Sequence, residues 1–212
     1  MPAPMIHLTV AHELAITEKL NDFPQFYLGV LAPDSFHSRK ENYFENRKTS
    51  HLTADDKFAC QDNIIKFMEQ HKYNSQKWFY IGYGVHLLTD IYWEEMIYNP
   101  FLLAYSKNKD TSYSNPHDAY TADLPMLDLW MYRNCEYKDD LWKYIFQGHS
   151  FDVEGLVTAA EIDIERDYTL AWYDEKKDRI INDFKYITLN QVTDFIQKST
   201  KDIDSKLSPL ML

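Results

Sequence analysis

Five histidines and a small set of carboxylates carry the chemistry that this sequence can offer. His86 and Asp90 are four residues apart inside the long apolar stretch 76–98. On a helix that spacing puts both on one face, about a turn apart, with Glu94 a further turn along. A lone histidine on an apolar helix is ordinarily a satisfied core residue, but this one has a carboxylate flanked by Leu87, Leu88, Ile91 and Trp93. Burying such a charge unpaired costs several kcal/mol or forces protonation, so Asp90 requires a cationic partner.

No Lys or Arg occurs between Lys77 and Lys107, whereas His7, His12, His37 and His51 accumulate upstream. A metal dication is the economical counter-charge. Neutral imidazole and carboxylate are the ligand set of zinc, with manganese or iron as alternatives, and bridging carboxylates are common where two ions share a site. Glu94 has the helix phase of a general base or outer ligand, although its neighbour Glu95 shows that solvated acids also occur there.

The elements that must position these residues read as helices throughout. Residues 6–20 show helical periodicity, with His7 at the start. Segment 22–50 contains Pro24, Gly29 and Pro33 before a polar run, which predicts short helical turns and an exposed loop. Thr53 followed by Asp55 and Asp56 predicts a capped helix to about His71, and 76–98 predicts a buried helix closed by Asn99-Pro100. Gly82 and Gly84 inside it indicate close approach by a neighbour. After a polar loop at 106–118, helices are expected near 121–135, 138–147, 152–173 and 188–205.

The chain has 212 residues, 45% of them hydrophobic and 16% aromatic, enough for one large core, and neither a linker nor a repeat divides it. A single all-α domain, a multi-helix bundle over 1–212, is the simplest reading. The formal charge of −11 repels a polyanionic backbone and argues against bulk nucleic-acid binding. It does not exclude phosphoesters, because bound dications reverse the local field. The opening MPAPMIHLTVAHEL has no basic leader, and no stretch reaches membrane-spanning length, so a cytoplasmic location is expected. Cys60 and Cys135 have neither metal nor disulfide spacing and read as reduced core residues.

In chain order, His7-Leu8-Thr9-Val10-Ala11, Ala32-Pro33-Asp34, Thr49-Ser50-His51 and the His86-x-x-x-Asp90 pair resemble the zinc-dependent phospholipase C family. The resemblance covers roughly the first half of the chain and lies in the order of the motifs. It implies a helical phospholipase C-like fold, two zinc ions and the ligands His7, Asp34, His51, His86 and Asp90. It also implies a metal-dependent hydrolase acting on a small phosphoester or phospholipid head group. Asp34, from the resemblance, and Glu94, from its helix phase alone, are the candidate catalytic carboxylates. The secreted members of that family ligate metal with an N-terminal tryptophan, where this chain begins Met1-Pro2. They hold a third zinc with a later histidine and an H-x-x-x-E, neither of which follows Asp90 here; two metals, or one, are therefore expected. His37 is the candidate for a missing ligand.

Two other readings compete. His117-Asp118, with His86 upstream and Asp163 or Asp167 downstream, has the order of an HD-type phosphohydrolase, although the dipeptide follows Ser114-Asn115-Pro116 in a polar loop typical of turn and cap residues. A non-catalytic, metal-stabilised helical binding protein is the other.

Overall fold

The computed structural model describes residues 2–108, 113–181 and 184–211. The chain is all-α. In order it forms α1 (Pro4–Thr17), α2 (Phe23–Leu31), a 3-10 segment (Ala32–Ser38), α3 (Tyr43–Ser50), α4 (Lys57–His71), α5 (Lys77–Trp93), a π-helical segment (Glu94–Tyr98), α6 (Asn99–Asn108), α7 (Pro116–Asn134), α8 (Lys138–Gln147), α9 (Ala159–Lys176) and α10 (Leu189–Met211). Among the described residues, extended pairing is confined to an isolated bridge between Val153 and Val157. No described helix is long and apolar enough to cross a membrane.

α5 is the axis of the fold. Its residues from Phe79 to Thr89 are buried without interruption, as are Tyr92 and Trp93, so it must be covered on all sides. α2 covers it most closely. A Cβ on Gly82 would lie 2.1 Å from the Phe26 carbonyl oxygen, and one on Gly29 would lie 2.1 Å from that of Phe79. The two backbones therefore touch at a crossing that only glycine permits on each side. α4 packs beside them, with Met68 against Gly84. α1 packs on α2, α5, α7 and α10, and the strongly amphipathic α10 buries Val192, Phe195, Ile203 and Leu207.

Several boundaries depart from the sequence expectation for identifiable reasons. The short helical turns expected in 22–50 are present as α2 and the 3-10 segment, while the polar run expected as an exposed loop forms α3. α4 begins after Asp56, whose carboxylate accepts from the amides of Phe58 and Ala59, and not after Thr53. Thr53 is already engaged in closing α3: its N–H reaches the Lys48 carbonyl at 3.0 Å while Leu52 N–H reaches Thr49 at 3.1 Å. That is the hydrogen-bond pattern of a Schellman end, with Leu52 at φ 51° in the position glycine usually takes.

The helix does not stop at Asn99-Pro100. The chain passes through the π segment directly into α6, with Pro100 the second residue of α6. α7 starts earlier than expected because Asn115 caps the Asp118 amide and Pro116 pre-sets the first turn. Residues 109–112 of the expected polar loop lie outside the described residues. α9 starts later, because Gly155 at φ 74° turns the chain and Thr158 with Glu161 forms a capping box. Cys60 and Cys135 are free thiols, the first half-buried and the second buried.

Candidate metal centre

Four segments meet at one end of the α2–α5 crossing and bring His7, Asp34, His51, His86 and Asp90 together. His7 comes from the second turn of α1. That helix has no side-chain cap at Ala3; instead the Met5 amide donates to Asp128 Oδ1 on α7 (2.9 Å) and to Tyr173 on α9 (3.2 Å), which fixes the helix start from outside. Asp34 sits in the 3-10 segment, whose far end is held by a two-pronged ion pair of Arg39 with Glu161 at 2.6 and 2.9 Å. Arg39 holds the Glu161 carboxyl below its usual range. His51 caps α3 just before the left-handed Leu52. Tyr83 O–H donates to the Ser50 carbonyl at 2.6 Å and so pins this helix end to α5.

The ring protons can be placed from their partners. The Val30 carbonyl can only accept, so His86 Nδ1 donates to it at 2.7 Å and Nε2 keeps its lone pair. Ser50 Oγ lies 2.9 Å from His51 Nδ1 and 3.4 Å from the Arg47 carbonyl; with the hydroxyl donating to the carbonyl, His51 Nδ1 donates to Ser50 and Nε2 has its lone pair inward. His7 stacks flat on His86, ring centroids 3.8 Å apart and planes 2° from parallel. Burial, and then the neighbouring His86, drive the His7 pKa well below its ordinary value; burial also lowers that of His86. Both rings are therefore neutral at pH 7. Burial would raise the Asp34 carboxyl, but His86 and His51 beside it overturn that and hold it well below the usual carboxylate range.

The inward atoms lack hydrogen-bond partners within the protein. His7 Nε2, Asp34 Oδ1, His51 Nε2, His86 Nε2 and Asp90 Oδ1 are all buried in this condition, as is His7 Nδ1. Buried polar atoms are paired in the great majority of cases, so five gathered in two overlapping groups are a strong sign of a partner outside the protein. Their separations indicate which partner fits. Two ligands about 2.0–2.1 Å from one zinc at the tetrahedral angle stand roughly 3.3–3.4 Å apart. The N···O distances here are 3.4 Å for His51–Asp34, 3.5 Å for His51–Asp90, 3.5 Å for His7–Asp90 and 3.8 Å for His86–Asp34. The donor set fits a zinc-class ion. It can be grouped in two ways, His7 with Asp34 and His86, or His51 with His86 and Asp90.

The back of the site opens into a cavity of about 10 Å³, enough for a single water-sized sphere, lined by Pro4, His7, Val30, Leu31, Asp34, His86 and Glu165. Asp34 and Asp90 form the more open side, their side chains 16% and 10% exposed.

Sequence reasoning missed two participants. Arg47 on α3 places Nη2 3.3 Å from Asp90 Oδ2 and so supplies positive charge where a metal alone was expected to do so. Its signal was the four-residue spacing to His51, hidden because this stretch was expected to be mostly loop. Glu165 on α9 lines the back cavity, and burial, then Asp34, push its carboxyl up to about 8. No local pattern marks it.

Other expected participants lie outside both ligand groups. His37 is exposed and rests its ring on Phe36, centroids 4.3 Å apart, yet it is near enough to Asp34 for their charges to interact. Glu94 is exposed too. Its N–H still bonds the Asp90 carbonyl, so it keeps the helix phase of Asp90 yet lies outside both ligand groups; the period changes only beyond it, and the adjacent Glu95 pairs with Lys57. The aromatics Tyr83, Trp93 and Tyr27 are fully buried and bonded to Ser50, Tyr120 and His12 respectively. His117-Asp118 sits in the first turn of α7, where Asp118 takes hydrogen bonds from Ser114 and Asn115. Its proposed downstream partners Asp163 and Asp167 both pair with Arg166.

Compared with protein-family models, curated proteins and solved structures, the chain matches none.

Proposed function

We propose that this protein is a metal-dependent hydrolase of a phosphoester, with His7, Asp34, His51, His86 and Asp90 as the ligand set of a zinc-class centre, as the resemblance to the zinc-dependent phospholipase C family implies. The observation that carries the reading is the convergence of five buried, unpartnered donor atoms at separations close to those of a tetrahedral zinc shell. A zinc-class ion, when bound, supplies a Lewis acid and an acidified water at neutral pH.

The protein's own part is to hold neutral imidazoles with their lone pairs inward. Val30 orients His86 and Ser50 orients His51, the outer contacts that fix ring tautomer and direction in metal sites. In the reaction the oxygen of water bonds to phosphorus, the ester P–O bond breaks, and the proton released from water ends on the departing oxygen. A small phosphoester or a phospholipid head group would approach from the side of Asp34 and Asp90. The enclosed back of the site is the observation that favours the other reading, an ion that serves structure alone.

Zinc, manganese and iron content per chain, on protein purified without chelator, tests the first half of the proposal in wild type beside His86→Ala and Asp90→Ala. A phosphoester hydrolysis screen tests the second. Bound metal lost in both variants, with metal-dependent turnover, supports the hydrolase. Bound metal without turnover supports the structural reading, and a wild type that takes no metal when saturated with it overturns both.

A further inference from the structure

We infer that Arg47 takes the place of a second cation, so that the centre is one metal ion and one guanidinium, with Arg47 placed to hold a phosphoryl oxygen. This deepens the proposed hydrolase reading and rests on it.

The first ground is ligand supply. Both possible three-atom groups contain His86. That ring has a single lone pair to give, because its other nitrogen donates to Val30. The two groups therefore cannot be filled together. The second ground is charge. Asp34 and Asp90 bring two negative charges, and Arg47 Nη2 already faces Asp90 Oδ2 at 3.3 Å, the oxygen that also lies 3.5 Å from His51 Nε2. One dication with Arg47 leaves the centre at a single net positive charge, complementary to an anionic phosphoester. Two dications beside the guanidinium would crowd five positive charges against two negative ones in a largely buried site.

The third ground is placement. Arg47 and His51 are one turn apart on α3 and share its closure: the Arg47 carbonyl accepts the His51 amide at 2.9 Å, and Tyr83 anchors the same turn. The backbone that carries the guanidinium therefore stands in fixed relation to the ligand, and Nη2 reaches Asp90 from it. Its side chain is 34% exposed, against 4% for His51, which puts it at the solvent side of the centre. A planar guanidinium fork suits the geometry of a phosphoryl group, where an ammonium offers only a point charge.

The test uses zinc stoichiometry and the binding of inorganic phosphate to the zinc-loaded full chain, both independent of turnover. The expected results are one zinc equivalent in wild type and in Arg47→Ala alike, because both ligand groups need His86, and phosphate affinity in Arg47→Ala at least tenfold lower than in wild type. Arg47→Lys, which keeps the charge, should stay at one equivalent and recover phosphate binding only in part. Two equivalents in wild type, or a phosphate affinity in Arg47→Ala within twofold of wild type, would overturn the inference while leaving the metal centre standing. No zinc in wild type would remove the metal centre and the inference with it.

Discussion

Gly82→Ala is the substitution through which the fold and the site can be tested together. Gly82 meets Phe26, and one turn later on each helix His86 meets Val30, so the two contacts are successive rungs of the α2–α5 crossing. The added Cβ would fall 2.1 Å from the Phe26 carbonyl oxygen, 3.0 Å from its carbon and 3.1 Å from the Val30 nitrogen. All three are backbone atoms and cannot rotate away. An ordinary contact needs at least 3.4 Å, so the helices must part by about 1 Å. The His86–Val30 hydrogen bond, now 2.7 Å, would then be stretched beyond hydrogen-bonding distance.

Overpacking costs about 1–3 kcal/mol and the lost buried hydrogen bond about 1 kcal/mol, against roughly 1 kcal/mol regained from the better helix propensity of alanine. The net loss is about 1–3 kcal/mol, or a fall in Tm of roughly 2–12 °C for a chain of this size. Loss of the outer contact on His86 should also weaken zinc binding by about 10–100-fold. Thermal unfolding and zinc competition titration read the two effects. Gly84→Ala is the internal control, because its Cβ would meet the side chain of Met68, which can turn aside, and zinc affinity should hold. A Gly82→Ala protein with Tm within 1 °C and zinc affinity within twofold of wild type would refute the coupling of crossing and site.

Three further outcomes follow from contacts described above. Tyr83→Phe strands the buried Ser50 carbonyl and should cost about 1–3 kcal/mol in denaturant unfolding while weakening zinc binding through His51; unchanged values for both would disconnect Tyr83 from the site. Burial pushes the Asp128 carboxyl up to about 7 from an ordinary 3.8, against the hydrogen bonds from Tyr173 and Met5. The folded state thus keeps this proton longer than the unfolded one, and stability is lost as pH rises from about 4 through 7, by roughly 4 kcal/mol in all. Asp128→Asn removes that slope, so urea unfolding at pH 5 and pH 8 should show the variant gaining on wild type at the higher pH; an identical difference at both would count against it. His117→Ala and Glu94→Gln, both exposed and outside the ligand groups, should leave metal content unchanged, and loss of metal in either would move the site.

What could be read from sequence was what local periodicity encodes. The buried run 76–98 announced α5, its glycines announced a close neighbour, and the four-residue spacing put His86 and Asp90 on one inward face. That His7, Asp34 and His51 would join them came from the order of motifs, since nothing within α1 or the 3-10 segment says where it will pack. Arg47 was missed for a related reason: its value depends on α3 being a helix, and the polar run around it gave little hydrophobic signal for one. Glu165 and Asp128 were invisible because each acquires its role from an element distant in sequence, Glu165 facing the back of the site and Asp128 capping α1. Glu94 has the helix phase that its spacing indicated, and its exposure, set by what packs against the helix, is what the spacing does not encode.

The change of helix period at the π segment has a meaning for how the chain can vary in length. A π segment is a helix carrying one residue more than its regular turn accommodates, and Glu94–Tyr98 is placed just beyond Asp90. The rod that begins at Lys77 is therefore two rods in different phase: one set by the glycine crossing and the candidate ligands, the other by the packing of Ile97 and Phe101 beyond. Between them lies a joint able to absorb an inserted or deleted residue. Changes of length in the outer rod need not be transmitted to His86 and Asp90, so the chain can be remodelled beyond the joint while the centre keeps its register.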